Sequence, residues 1–174
     1  LRIAAQHGFP YWTAWCAVVG AAAIEAAASE RGERIEEAVA SYRATGALQL
    51  VPCALALAAE CRLEEGRPHA ALALLEEGAR IAAATGVALY SPEIARLALA
   101  ARRAAGLAPE ESAETIAAHA AARGAGLWAL RALAMAVRED RAAAPRLAAM
   151  LDRLIAEGAD PTLEDLRAAR AVLA

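Results

Sequence analysis

Glycine returns along this chain at a fixed interval. Gly46, Gly86 and Gly126 are forty residues apart, Gly66 and Gly106 fall midway between them, and Gly8 precedes Gly46 by thirty-eight. Glycine adopts the left-handed backbone conformation without a Cβ clash, so it stands just past helix C-termini. One glycine every twenty residues, alternating in register, predicts helix, turn, helix, turn. A period between roughly 20 and 50 residues marks a solenoid or array. The segments around two of these glycines also match: "RATGALQLVP" (43–52) and "AATGVALYSP" (83–92) each place a proline six residues after the glycine. On this reading Gly46, Gly86 and Gly126 each end one helix pair and release the next.

Start signals and buried stripes fit the same register. Ser91-Pro92-Glu93 offers an N-cap, a first-turn proline and a carboxylate at the positive end of the helix dipole. Pro52, Pro68 and Pro109 are expected to open helices likewise, and Thr162 to Asp165 reads as a capping box. Ile35, Ala38, Val39 and Tyr42 keep the i, i+3, i+4, i+7 spacing of one buried face. So do Leu72, Leu75 and Ala79, then Ile94, Leu97 and Ala101, then Leu130, Leu133, Ala134 and Val137, then Leu147, Leu151, Leu154 and Ile155. No segment alternates with period two. Composition agrees, being 59% hydrophobic but only 4% aromatic, with alanine, the best helix former, making most of the difference. The expectation is an all-α chain of eight helices in four antiparallel pairs, with approximate units 8–45, 46–85, 86–125 and 126–158, and a closing helix over 162–173.

Charge narrows the partners. The net charge is -3, and arginine supplies every fixed positive charge because lysine is absent. Neither feature gives the basic footprint that nucleic acid requires. Cys16, Cys53 and Cys61 form no CxxC pair and no disulfide framework, which fits a reducing cytoplasm. The apolar run from Ala14 to Ile24 stops at Glu25, short of the roughly 20 residues of a membrane span, so no membrane partner is expected. A chain that begins at leucine is expected to be a piece of a longer one.

The segment "EEGRPHAALALLEEGARIA" (64–82) resembles the tetratricopeptide pattern, with Gly66 at the turn, Ala71 as the small residue and Leu75 as the large one. It departs from that pattern where an aromatic is usual before the turn glycine: Arg62 stands there, and Arg102 in the following unit. The order of "HGFPYWTAW" (7–15), "YRATGALQLVP" (42–52), "SPEIARL" (91–97), "LWALRALAMA" (127–136) and "EGADPTLEDLRAARAVL" (157–173) is similar to the C-terminal repeat tails of bacterial multidomain signalling proteins. Those proteins join a class III adenylate or guanylate cyclase, or another effector, to an ATPase module. The resemblance implies a right-handed superhelical array, a tetratricopeptide-like α-solenoid with a capping helix, that regulates by binding protein. It carries over no catalytic or nucleotide-binding residue. Similar repeats precede helix-turn-helix domains in large transcription regulators, and this is the alternative reading of the parent protein.

Chemistry-bearing patterns are sparse. "GAGLWA" (124–129) meets the loosest dinucleotide fingerprint, but a helix is expected before it where that mechanism needs a strand. His7, His69 and His119 are far apart, and Cys53 and Cys61 read as core residues. Glu64-Glu65 and Glu76-Glu77 are adjacent and do not face each other on a helix. No catalytic residue, cofactor or metal is expected, which leaves an enzyme or an RNA-reading repeat as the weaker assignments. Two features could bind protein. One is "GFPYWTAWC" (8–16), whose Phe9, Tyr11, Trp12 and Trp15 form either a docking patch, for a partner or for upstream domains of the same chain, or a cover over the end of the core. The other is the arginine set Arg62, Arg96, Arg102 and Arg131, a clamp for an acidic peptide, unless Arg62 and Arg102 serve only as last-turn charges that complement the helix dipole. The partner is expected to be a protein or peptide, with self-association through exposed ends as one form.

Overall fold

The computed structural model describes residues 2–174, and among these every regular element is helical. The helices are α1 (Arg2–Gln6), α2 (Pro10–Ala23), α3 (Ala28–Arg43), α4 (Val51–Glu64), α5 (Pro68–Thr85), α6 (Ser91–Ala104), α7 (Ala113–Ala122), α8 (Gly126–Glu139), α9 (Ala144–Ala156) and α10 (Glu164–Leu173). A 3-10 turn over Arg141–Ala143 leads into α9. The short α1 and the 3-10 turn lie outside the sequence reading; the closing helix begins at Glu164. No helix among the described residues is long and apolar enough to cross a membrane.

The glycine register holds as far as Gly106. Gly46, Gly66, Gly86 and Gly106 all have φ between +71° and +82°. At Gly86, the residue that ends α5, φ is +73°. Replacing Gly86 by valine forces a β-branched residue into that conformation and is expected to destabilise the chain by about 1–2 kcal/mol. A neutral thermal midpoint would show that this turn tolerates another backbone path. The third member of the series is different. Gly124, at φ +73°, ends α7, whereas Gly126 is the first residue of α8. Ala125 N donates to Ala120 O across five residues, so the Gly124 turn is a Schellman closure. Gly126 is instead a close-packing position, since a Cβ there would lie 2.7 Å from Leu154 Cδ2.

Several helix starts also differ from expectation. Ser91 is already helical, Tyr90 precedes it as the cap residue, and no side chain caps α6. Pro92 does occupy the first turn, as do Pro52 and Pro68 in α4 and α5. Pro109 opens nothing, because α7 starts four residues later under Ser112, whose hydroxyl accepts from Thr115 N. The capping box at Thr162 is not formed either. Leu163 precedes α10, and Asp160 accepts from Thr162 N and Oγ1, both at 2.8 Å. The backbone bond first, then the hydroxyl, holds the Asp160 carboxyl below its ordinary pKa. Only α7 carries a side-chain cap among these three starts, and at α10 the Thr162 hydroxyl is engaged by Asp160 instead of capping the helix.

The chain divides into two compact units, one ending at Ala108 and the other running Pro109–Ala174. The boundary falls within residues 86–125. In the first unit each helix packs on its sequence neighbour, and α4 also meets α6. Val18, Ile35, Val39, Tyr42, Leu55 and Ile81 form one apolar cluster; Leu72, Leu75, Ile94, Leu97 and Ala101 form a second. Ala79, expected in the buried stripe of α5, is exposed; Gly78, Ile81 and Ala82 are buried instead. Gly78 lets α5 lie close, its Cβ position being 3.5 Å from Ile94 Cδ1 and 3.6 Å from the Pro52 carbonyl oxygen. In the second unit α8 packs against α7, α9 and α10. Its buried side chains include Ile116, Leu130, Leu133, Val137, Leu147, Leu151 and Leu166, while Leu154 and Ile155 are half-buried.

Candidate functional site

The two arms of the aromatic segment do different things. Pro10 starts α2, so the next residues wind around a helix and point to different sides. Tyr11 and Trp15 turn inward onto Tyr42 of α3, with ring centroids 5.1 and 6.2 Å from it. Tyr11 also meets Trp12 edge-on at 4.9 Å, and its hydroxyl accepts a long 3.4 Å bond from Gln49 Nε2. Phe9 and Trp12 face outward and are 53% and 54% exposed. The cover-or-dock alternative thus divides by residue: Tyr11 and Trp15 close the core, and Phe9 and Trp12 remain available.

Beside Trp12 a groove of about 920 Å³ runs between α2 and α3. Its α2 wall carries Trp12, Trp15, Cys16 and Val19, Ile24 lies just past the end of that helix, and its α3 wall carries Arg34, Glu37 and Ser41. Val19 is 48% exposed. The two helices flank it because the four residues 24–27 return the chain directly alongside α2. The wall is apolar on α2 and charged along α3, an arrangement that suits another amphipathic helix better than a small polar substrate.

The arginines sit elsewhere and are engaged. Arg62 is buried and binds carboxylates on two sides. Its Nε and Nη2 donate to Glu36 Oε1 at 3.0 and 2.7 Å, and its Nη1 donates to Glu65 Oε1 at 2.8 Å. Arg96 forks onto Glu93, with both bonds 2.8 Å, and lies 3.8 Å from Glu60 of α4. Glu93, expected as a first-turn carboxylate, is there and is buried. Arg131 ties α8 to α10 through Asp165 at 2.7 and 3.1 Å, and Arg102 Nε donates to the Ala108 carbonyl at 2.7 Å. Arg31–Glu64, Arg43–Glu77 and Arg146–Glu114 link further helices within their units. The sequence reading missed this lattice. Its interhelical ion pairs join residues 26 to 36 apart, and only their recurrence at somewhat less than one repeat length could have flagged them.

The remaining candidates are structural in their surroundings. Leu154 fills the space against Gly126 that a phosphate would need for close backbone approach, and α7 rather than a strand precedes the turn. His7 stacks near Phe9 at 6.2 Å, and His119 lies 3.7 Å from Glu111 on the surface. No group of three or more His, Cys, Asp or Glu among the described residues is placed to hold a metal ion. Burial pushes the thiols of Cys53 and Cys61 up from the ordinary value, opposite to the activation a nucleophilic cysteine needs.

Burial also raises two tyrosines. Tyr90 is pushed up to about 12, and Tyr42, whose buried hydroxyl makes no hydrogen bond among the described residues, is raised by burial first and by Tyr11 second. The fold favours the neutral form of all four groups. Their contribution is therefore complete below the unfolded-state values, near 9.0 for thiols and 10.0 for phenols, and is lost as pH rises toward the folded ones. The urea midpoint is expected to decline above about pH 9 and more steeply above about pH 10. The slope should be shallower in Tyr90→Phe; a midpoint unchanged to pH 12 would mean these groups are hydrated.

No family model matches the chain, and no curated protein or solved structure is significantly similar to it.

Proposed function

We propose that this chain is a non-catalytic protein-binding module, and that the α2–α3 groove is where it binds. The observation that supports this reading is the combination of an open apolar groove with the outward Trp12 ring on its lining, Phe9 standing exposed just before the same helix. Exposed large aromatics beside a groove are the anchors from which protein interfaces draw most of their affinity. The arginine clamp is the less favoured site, because Arg62, Arg96 and Arg131 already spend their donors on carboxylates of their own unit. On this proposal the helix pairs stack as a right-handed tetratricopeptide-like array. The resemblance of the repeat landmarks supports a regulatory place in a cytoplasmic bacterial signalling protein of the cyclase and ATPase type.

Site-specific photocrosslinking tests the module. With p-benzoylphenylalanine at position 12, irradiation in the cells that make the protein should yield a discrete polypeptide adduct. The same group at the exposed position 69 of α5 should yield none. Absence of an adduct at 12, or equal adducts at both positions, would overturn the assignment of the groove.

A further inference from the structure

We infer that the occupant of the α2–α3 groove is a second copy of this chain, docked about a two-fold axis; this rests on the protein-binding reading above and names its partner. Trp12, Cys16 and Val19 stand at i, i+4 and i+7 on α2, the spacing of a helix face that packs along another helix, while Trp15 beside them leans on Tyr42 of α3. Within the first unit α4 shows what a covered helix looks like. Ten of its 14 residues are buried beneath α3, α5 and α6, whereas α2, also 14 residues long, buries three. The α2 stripe is a packing seam without its opposing helix. Its floor is smooth, for Ala17 lies beside it and a Cβ at Gly20 would meet nothing within 4 Å.

Charge selects the second copy over other helices. Arg34 and Glu37 project along the α3 wall, one turn apart. Glu37 makes no ion pair among the described residues, and Arg34 is 56% exposed in a surface pair with Glu30 that is easily exchanged. A cation and an anion one turn apart on the same face are self-complementary under a two-fold axis. Arg34 of each copy then faces Glu37 of the other, as an isologous contact requires. Two α2–α3 hairpins related in this way close into a four-helix bundle, with Trp12 and Val19 of both copies in its core.

Sedimentation velocity on the whole chain, over about 1 µM to 1 mM, tests this; the range spans affinities typical of a small interface. A monomer–dimer equilibrium is expected. Trp12→Glu and Val19→Glu should each weaken it at least about tenfold while leaving helical circular dichroism unchanged, since both side chains are about half exposed. Arg34→Glu should also weaken it, and adding Glu37→Arg to that variant should restore the dimer, a rescue that only a two-fold contact gives. A chain that stays monomeric throughout, or a dimer indifferent to these substitutions, would overturn the inference. A monomeric chain that still forms an adduct from position 12 with a different polypeptide would overturn it too, while leaving the protein-binding reading intact.

Discussion

Arg62→Ala is expected to remove about 3 kcal/mol of stability, the loss seen when one partner of a buried ion pair is deleted. The side chain is 8% exposed and supports Glu36 of α3 and Glu65 at the end of its own helix. Glu65, 12% exposed, would keep only the 3.2 Å contact from Arg67, while Glu36, 41% exposed, can turn to water. The damage should therefore centre on Glu65. In urea the midpoint should fall by about 1.5 M, for a slope of about 2 kcal/mol/M. Arg62→Met keeps the apolar stem and should recover part of the loss. Adding Glu65→Gln to it should recover more, because the charge left behind causes most of the penalty. A loss below about 1 kcal/mol would place this pair with ordinary surface salt bridges.

The second large effect concerns the glycine that lets α3 reach α4. Gly32 is buried within α3, where glycine normally costs about 0.5–1 kcal/mol relative to alanine. A Cβ at this position would lie 3.3 Å from Cys61 Cβ and 3.4 Å from Arg62 Cζ. For Gly32→Ala the gain in helix propensity and the tight contact should nearly cancel. For Gly32→Leu nothing cancels, and overpacking should cost about 2–3 kcal/mol. The intruding side chain would displace Arg62, so this variant and Arg62→Ala share one mechanism. Together they should lose at least about 1 kcal/mol less than the sum of their separate effects. Strict additivity, or a neutral Gly32→Leu, would show that the two helices are not held at this spacing.

Both variants bear on what was legible in advance. The buried stripe Ile35, Ala38, Val39 and Tyr42 was readable because helical periodicity places those residues on one face whatever lies opposite. Gly46, Gly66, Gly86 and Gly106 were readable because positive φ is a property of a single residue. Caps were less so. Ser91, Pro109 and Thr162 each had the right residue type, but α6 starts at Ser91 without a side-chain cap, Ser112 caps α7, and Thr162 is bound by Asp160. Gly126 shared the forty-residue spacing by composition, while Gly124 took the turn.

For the site, the sequence located the aromatic segment but could not say which rings faced out. That division depends on Tyr42, thirty-one residues beyond Tyr11, receiving Tyr11 and Trp15. Nor could it separate a binding arginine from a structural one, because the carboxylates that engage Arg62, Arg96 and Arg131 include groups on other helices.

By itself the sequence determined most of the helices, the glycine turns as far as Gly106 and most residues of the apolar stripes, since backbone preference and periodicity act over fewer than ten residues. Only the tertiary structure decided which arginines were consumed in holding helices together and which face of α2 was left without a neighbour. The first of these turns on groups 26 or more residues apart coming within 4 Å, and helix packing sets that distance.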